Sequence, residues 1–193
     1  DTHIEFTFKD KLKIEKKGVV GVNQLQFIVA GFNKDKSHQT AIVYVPGNTQ
    51  VSRDSKIKNQ EYGANWIGQT DVVSRVVLGF DTRIQNLPFF GKVASENTPA
   101  QIQAQLAGLE YVIQWGTMTL QDGIDFSVLA IDTTTKIQRF SDGVRLDQGD
   151  MPGVGGAIDV AVITYDKGFI WVSKKKLHAG GNTVDLENIE NVS

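Results

Sequence analysis

The stretch PGVGGAIDVAVITYDKGFIWV, Pro152 to Val172, sets a glycine cluster in front of two short apolar runs parted by a polar turn. Two readings compete for it: a phosphate-cradling loop, or the entry to a buried hairpin. A phosphate loop needs its glycines followed by lysine and a hydroxyl residue at the start of a helix, whereas Gly153, Gly155 and Gly156 lead into AIDV. The dinucleotide fingerprint also fails, because Ile158 stands where its last small residue belongs and a strand follows. The glycines therefore read as backbone freedom for a sharp turn into a buried strand. AIDVAVIT and GFIWVS then make a hairpin about Asp166, Lys167 and Gly168, residue types that favour a tight turn.

Upstream of this hairpin the periodicity is helical. TLQD, Thr119 to Asp122, is a capping sequence, and Leu120, Ile124, Val128, Ile131 and Thr135 carry an apolar face toward Phe140. TPAQ, Thr98 to Gln101, opens another helix with a cap and a proline at the first helical position, and Ile102, Leu106, Leu109 and Ile113 extend it to about Trp115. DTRIQNLPFFGKVASEN reads as irregular. In NWIGQTDVVSRVVLGF, Val72, Val73, Val76, Val77 and Phe80 recur at helical spacing behind Thr70, a candidate N-cap. VSRDSKIKNQEYG reads as a polar connection.

Nearer the amino terminus the pattern turns to strands. LQFIVAGF, Leu25 to Phe32, is continuously apolar like a strand covered on both faces, and TAIVYVP follows NKDKSHQ as its hairpin partner. Ile4, Phe6, Phe8, Leu12 and Ile14 alternate with polar residues, again strand-like. Strands, then helices, then strands, without βαβ alternation, predict an α+β fold on antiparallel hairpins. One domain is expected over 1–193, with an atypical strand region at 1–24, a helical insertion at 81–117 and a surface tail at 178–193.

Composition narrows the function classes. The 193 residues carry a formal charge of -2, which offers no broad attraction to nucleic acid or anionic lipid, and KKKLH at Lys174 to His178 is too short for a nucleic-acid face. The chain has no cysteine, which removes disulfides, thiol nucleophiles and thiolate metal sites and suits the cytoplasm. His3, His38 and His178 are scattered, so no metal site is expected, and no cofactor. No apolar run approaches the length of a membrane span and no signal peptide stands at the start, so no membrane partner is expected. The pairs Asp147 with Asp150 and Asp122 with Asp125 read as loop and helix-surface charges, and GxSxG is absent.

Taken together, FIVAGFN, AIVYVPG, GANWIGQTDVVSRVV, TLQDGIDFSVLAIDTTTKIQRF and VGGAIDVAVITYDKGFIWVSKKKL resemble the C-terminal portion of proteasome-like β subunits, which are N-terminal nucleophile (Ntn) hydrolases. The resemblance covers about Leu25 to Leu177. It implies a four-layer αββα sandwich of two antiparallel sheets, lacking part of the N-terminal half, in a homo-oligomer acting on peptides. It also implies a nucleophile at the mature amino terminus, whose α-amino group, with an ordinary pKa of about 8, manages the proton. Here Asp1 is first, so Thr2 is not expected to serve, and the chain reads as the second part of such a protein. The family's supporting residues correspond to the neighbourhood of Gly68 and Gln69, which holds no serine, and to Asp150, slightly out of step, with Val154 near the expected serine. These departures count against ordinary threonine-peptidase catalysis. The insertion, with PFFG at Pro88 to Gly91, is expected to cover a pocket, join subunits or pack locally as a surface extension. The expectations are a peptidase or amidase completed by a nucleophile-bearing segment, a non-catalytic self-assembling subunit of the same fold, or a small β-rich binding module.

Overall fold

The structure is a computed structural model that describes residues 25–45, 47–144, 151–179 and 182–184. Its elements run β1 (Leu25–Phe32), β2 (His38–Val45), β3 (Thr49–Asp54), α1 (Asp71–Leu78), α2 (Pro88–Glu96), α3 (Pro99–Ala107), α4 (Leu120–Gln138), β4 (Val160–Thr164), β5 (Gly168–Ser173), β6 (Leu177–Ala179) and β7 (Asn182–Val184). Short 3-10 helices at Thr82–Asn86 and Trp115–Thr117 flank the insertion helices. The fold is α+β with antiparallel pairing throughout: β1-β2-β3 form one sheet, and β4-β5 and β6-β7 form two-stranded ribbons. The alternating strand at 4–14 lies outside the described residues.

Both hairpins expected from the sequence are present. β1 pairs with β2 from Leu25 opposite Val45 to Phe32 opposite His38, and β4 pairs with β5 from Val160 opposite Ser173 to Thr164 opposite Gly168. They meet at their turns, where Phe32 and Tyr165 stack edge to face at 6.2 Å and the Lys36 ammonium sits 5.0 Å from the Tyr165 ring. β3 was unexpected, because TQVSRD is polar; its side chains pair across to β2, and Gln39 Nε2 donates to Asp54 Oδ2 at 2.6 Å. The burial predicted for these strands is corrected: β1 and β5 are exposed along their whole lengths, since no described layer covers them.

Among the described residues the fully buried apolar side chains are Val45, Val72, Val73 and Val77, and three of them lie on α1 where it packs against α4. Burying a valine stabilises by about 1.5 to 3 kcal/mol, so this stripe is the strongest apolar contact described. Val76, expected in the same stripe, faces outward, and on α4 the fully buried residue is Thr134, whose hydroxyl donates back to the Ala130 carbonyl at 2.8 Å. An ionic cluster closes the outer end of α1: Asp81 accepts from Arg75 and Arg83, and these bonds, Arg83 first, hold its carboxyl down at about 2 against the cost of burial.

The helix limits differ from expectation in the insertion. PFFGKVASE forms α2, started by Pro88 at its first turn, with Phe89 outward and Phe90 turned into a cleft against Phe80, Ile102 and Leu106. α3 ends at Ala107 instead of continuing to Trp115, because Gly108 closes it and Tyr111 N–H donates to the Val77 carbonyl of α1 at 3.0 Å. The capping boxes at Thr98 and Thr119 are both formed, whereas the Thr70 side chain makes no capping bond. Thr119→Ala should therefore lower unfolding stability by about 1 kcal/mol and Thr70→Ala by a few tenths at most. Urea denaturation of the two variants checks this, and equal losses would show that the Thr119 box contributes nothing special.

Candidate functional site

The sequence singles out Gly68, Gln69 and the turn near Asp150, and the structure joins the first two to the far side of that turn. Asp150 itself lies outside the described residues, as does Thr2. Gly68 holds φ at 79°, the left-handed region that favours glycine, and this turns the chain so that Gln69 enters the space beneath α1. Residues 151–154 arrive there from the other direction, after α4.

A pair of amides ties the three segments together. Gln69 Nε2 donates to the Met151 carbonyl, and Gln69 Oε1 accepts from Gly153 N–H at 2.9 Å. Gln138, the last residue of α4, donates from Nε2 to Gln69 Oε1 at 3.0 Å. Its own Oε1 accepts from the backbone N–H groups of Gly153 at 3.1 Å and Val154 at 2.9 Å. Sequence reading missed Gln138, although it closes the network.

Chemically this is a clasp. Two consecutive backbone N–H groups converging on one oxygen are the donors an oxyanion site would use, and here Gln138 occupies them. Neither amide titrates, so the clasp supplies orientation and no general base. The carboxylates singled out on α4 lie at its other end and are committed there: Asp122 belongs to the capping box, where the Thr119 hydroxyl and backbone N–H lower its pKa. Asp125 accepts from Gln121 at 2.8 Å. Asp159, at the entry to β4, accepts from Lys175 N–H at 2.6 Å and pairs with its ammonium at 3.3 Å, and its pKa is lowered, chiefly by that backbone bond.

Two cavities adjoin α4. One, of about 570 Å³, separates the apolar side of α4 at Ile124, Val128 and Ile131 from β4 at Val160 and Val162. The other, of about 370 Å³, lies between the first turns of α4 and the β2-β3 face that carries His38, Thr40 and Arg53. His38 donates from Nε2 to the Glu61 carbonyl at 2.9 Å. Among the described residues no group of His, Asp or Glu could hold a metal ion, and no helix is long and apolar enough to cross a membrane. No family model, curated protein or solved structure matches the chain.

Gln138→Leu removes the Oε1 that accepts from both N–H groups: Gly153 N–H keeps its bond to Gln69 Oε1, whereas Val154 N–H loses its acceptor. Amide exchange at Val154 should accelerate at least about tenfold, and more than at Gly153, with about 1 to 2 kcal/mol of stability lost. Hydrogen exchange followed by NMR reads this, and unchanged protection at both amides would remove the clasp from the account.

Proposed function

We propose that the chain is a proteasome-like Ntn-hydrolase-fold protein of the cytoplasm, and that it takes part in peptide or amide hydrolysis when a nucleophile-bearing segment completes it. The proposal includes the four-layer αββα sandwich, with the β1-β2-β3 sheet and the β4-β5 ribbon contributing to its two inner sheets. The observation that carries it is the meeting of Gln69 with Met151 and Gly153, because the resemblance assigns supporting roles to just these two loops. The apolar gap of about 570 Å³ between α4 and β4 adds support, being a space that further chain would fill.

In this reading the chain's own groups position the reaction. Gln69 and Gln138 hold residues 151–154 against the end of α4, fixing the backbone N–H groups of that turn beside the incoming nucleophile. The nucleophilic hydroxyl loses its proton to the adjacent α-amino group and adds to the peptide carbonyl; the amine leaving group takes that proton, and water then hydrolyses the ester. The natural protein, treated with a peptide epoxyketone that bridges a hydroxyl and its own α-amine, should gain one covalent adduct at its mature amino terminus. Intact-mass and peptide mapping check this, and a protein showing neither adduct nor cleavage of a mixed peptide library is not a hydrolase.

A second reading rests on a separate observation. Phe27 and Val29 of β1 are 44% and 55% exposed, and Phe169 and Trp171 of β5 are 57% and 47% exposed, so both ribbons offer apolar surface in the manner of an assembly interface. A non-catalytic subunit that self-associates through these strands should sediment as a homo-oligomer, and a paired Phe27→Lys and Trp171→Lys variant should dissociate it. A species that stays monomeric at every concentration excludes this role.

A further inference from the structure

The β1-β2-β3 sheet has two outer strands, and only one of them is guarded. β3 carries Arg53 and Asp54 in a polar run, and its register against β2 breaks at Ser52, whose hydroxyl donates to the Thr40 carbonyl at 3.0 Å. Charges and a bulge of this kind keep a further strand from adding to an edge. β1 has neither. LQFIVAGF holds no charged residue and no proline, and it pairs with β2 without a break from Leu25 to Phe32. Its composition suits the middle of a sheet, yet among the described residues no strand pairs with its outer side.

The turn fixes which backbone groups that outer side presents. Asn33 N–H donates to the Ser37 carbonyl at 2.7 Å, which makes these two a hydrogen-bonded pair just beyond Phe32 and His38. Bonded and non-bonded pairs alternate along an antiparallel ladder, so Gly31 with Gln39, Val29 with Ala41 and Phe27 with Val43 bond across to β2. Tyr44 N–H agrees with this phase, since it donates away from β1 to the Asn48 carbonyl at 2.9 Å. The N–H and C=O groups of Gln26, Ile28, Ala30 and Phe32 therefore point outward. The turn of the β4-β5 ribbon stands close to the Phe32 end through Tyr165, while Ile28 and Val29, in the middle of the strand, are exposed.

We propose that two copies of the chain join along β1, antiparallel across a two-fold axis, into one six-stranded sheet built from three strands of each copy. This rests on the self-association reading above and gives it a geometry: edge pairing in place of contact between apolar faces. A second copy fits the edge for two reasons. A strand paired antiparallel with its own copy is self-complementary, each outward N–H meeting an outward C=O. With no charged residue on β1, side chains of the two copies face one another without repulsion. The pairing also moves β1 from the edge to the centre of the sheet, the position its composition suits. Because only even-numbered residues point outward, bonded pairs join even with even, and the residue opposite its own copy at the middle of the strand is Ile28 or Val29.

The chain has no cysteine, so a disulfide between copies reports only an introduced residue. Opposite Cα atoms of an antiparallel pair lie about 4.5 to 5.5 Å apart, within disulfide reach. Under mild oxidation, Val29→Cys or Ile28→Cys should therefore give a linked dimer at least about tenfold faster than Val51→Cys, which is exposed on the guarded strand. Ala30→Pro removes one outward N–H from each copy and spares the ladder to β2, so sedimentation equilibrium should show the dimer weakened at least about tenfold. Amide exchange at Ile28 and Ala30 should slow as the chain is concentrated. A chain that self-associates but forms no such disulfide, or whose association Ala30→Pro leaves unchanged, overturns edge pairing and leaves association through the faces standing. A chain monomeric at every concentration overturns both, and protected Ile28 and Ala30 amides in that monomer would assign the edge to another segment. An Ala30→Pro chain that loses its fold would overturn the outward phase on which the pairing depends.

Discussion

The described architecture hangs on the contact between α1 and α4, where Val72, Val73 and Val77 are three of the four fully buried apolar side chains among the described residues. At one end of that contact Gln138 leaves the last turn of α4 and meets Gln69, just before α1 begins. The loop that leads to β4 is bound to both amides, so the final hairpin is located by a polar junction set on an apolar one. The valines supply non-directional free energy, and the amides supply the direction. Neither would be sufficient alone: valine packing leaves the approach of residues 151–154 undefined, and three segments cannot be held by amides without a helix pair to present them.

The sheets stand in a different relation to this junction. A continuously apolar run such as LQFIVAGF is the pattern of a strand with both faces covered, yet β1 is exposed along its length. β5 repeats the mismatch with Phe169, Ile170, Trp171 and Val172 all exposed. Apolar area of this extent favours whatever reduces it, at roughly 25 cal/mol for each Å² removed from water. A completing segment and a second copy of the chain relieve the same surface, which is why the hydrolase and assembly readings both draw on these strands. What separates the two readings is the clasp, since it ties the loops to which only the hydrolase proposal gives a role and has no part in covering β1 or β5.

Local signals were legible in the sequence, and distant ones were not. The capping boxes at Thr98 and Thr119 and both hairpins could be read because each is decided within a few residues. Thr70 carried the same residue-type signal and makes no capping bond: its backbone is already helical, with φ -101° and ψ -2°, where a capping residue is usually extended. β3 was hidden because its sequence is polar and its pairing is set by β2. The early end of α3 is likewise tertiary, since residues that continue an apolar period are drawn off by the bond from Tyr111 to α1. Gly68 and Gln69 were found through resemblance alone, while Gln138 and Arg53 gave no local sign, one being a helix-end amide and the other a charge in a polar strand.

The two polar sites differ in the state of their hydrogen bonds, and that difference bears on what each does. Around Gln69 and Gln138 every bond described is closed within the chain, so the network holds a loop and gains little from a ligand. At Arg53 a buried Nε–H is left open, which costs the folded chain part of the desolvation of a charged donor. A group that displaced Gln138 would first have to break bonds already made. The clasp is therefore a closed structural junction, while the Arg53 Nε–H is buried against the Gly63 backbone, so close that a Cβ there would overlap it.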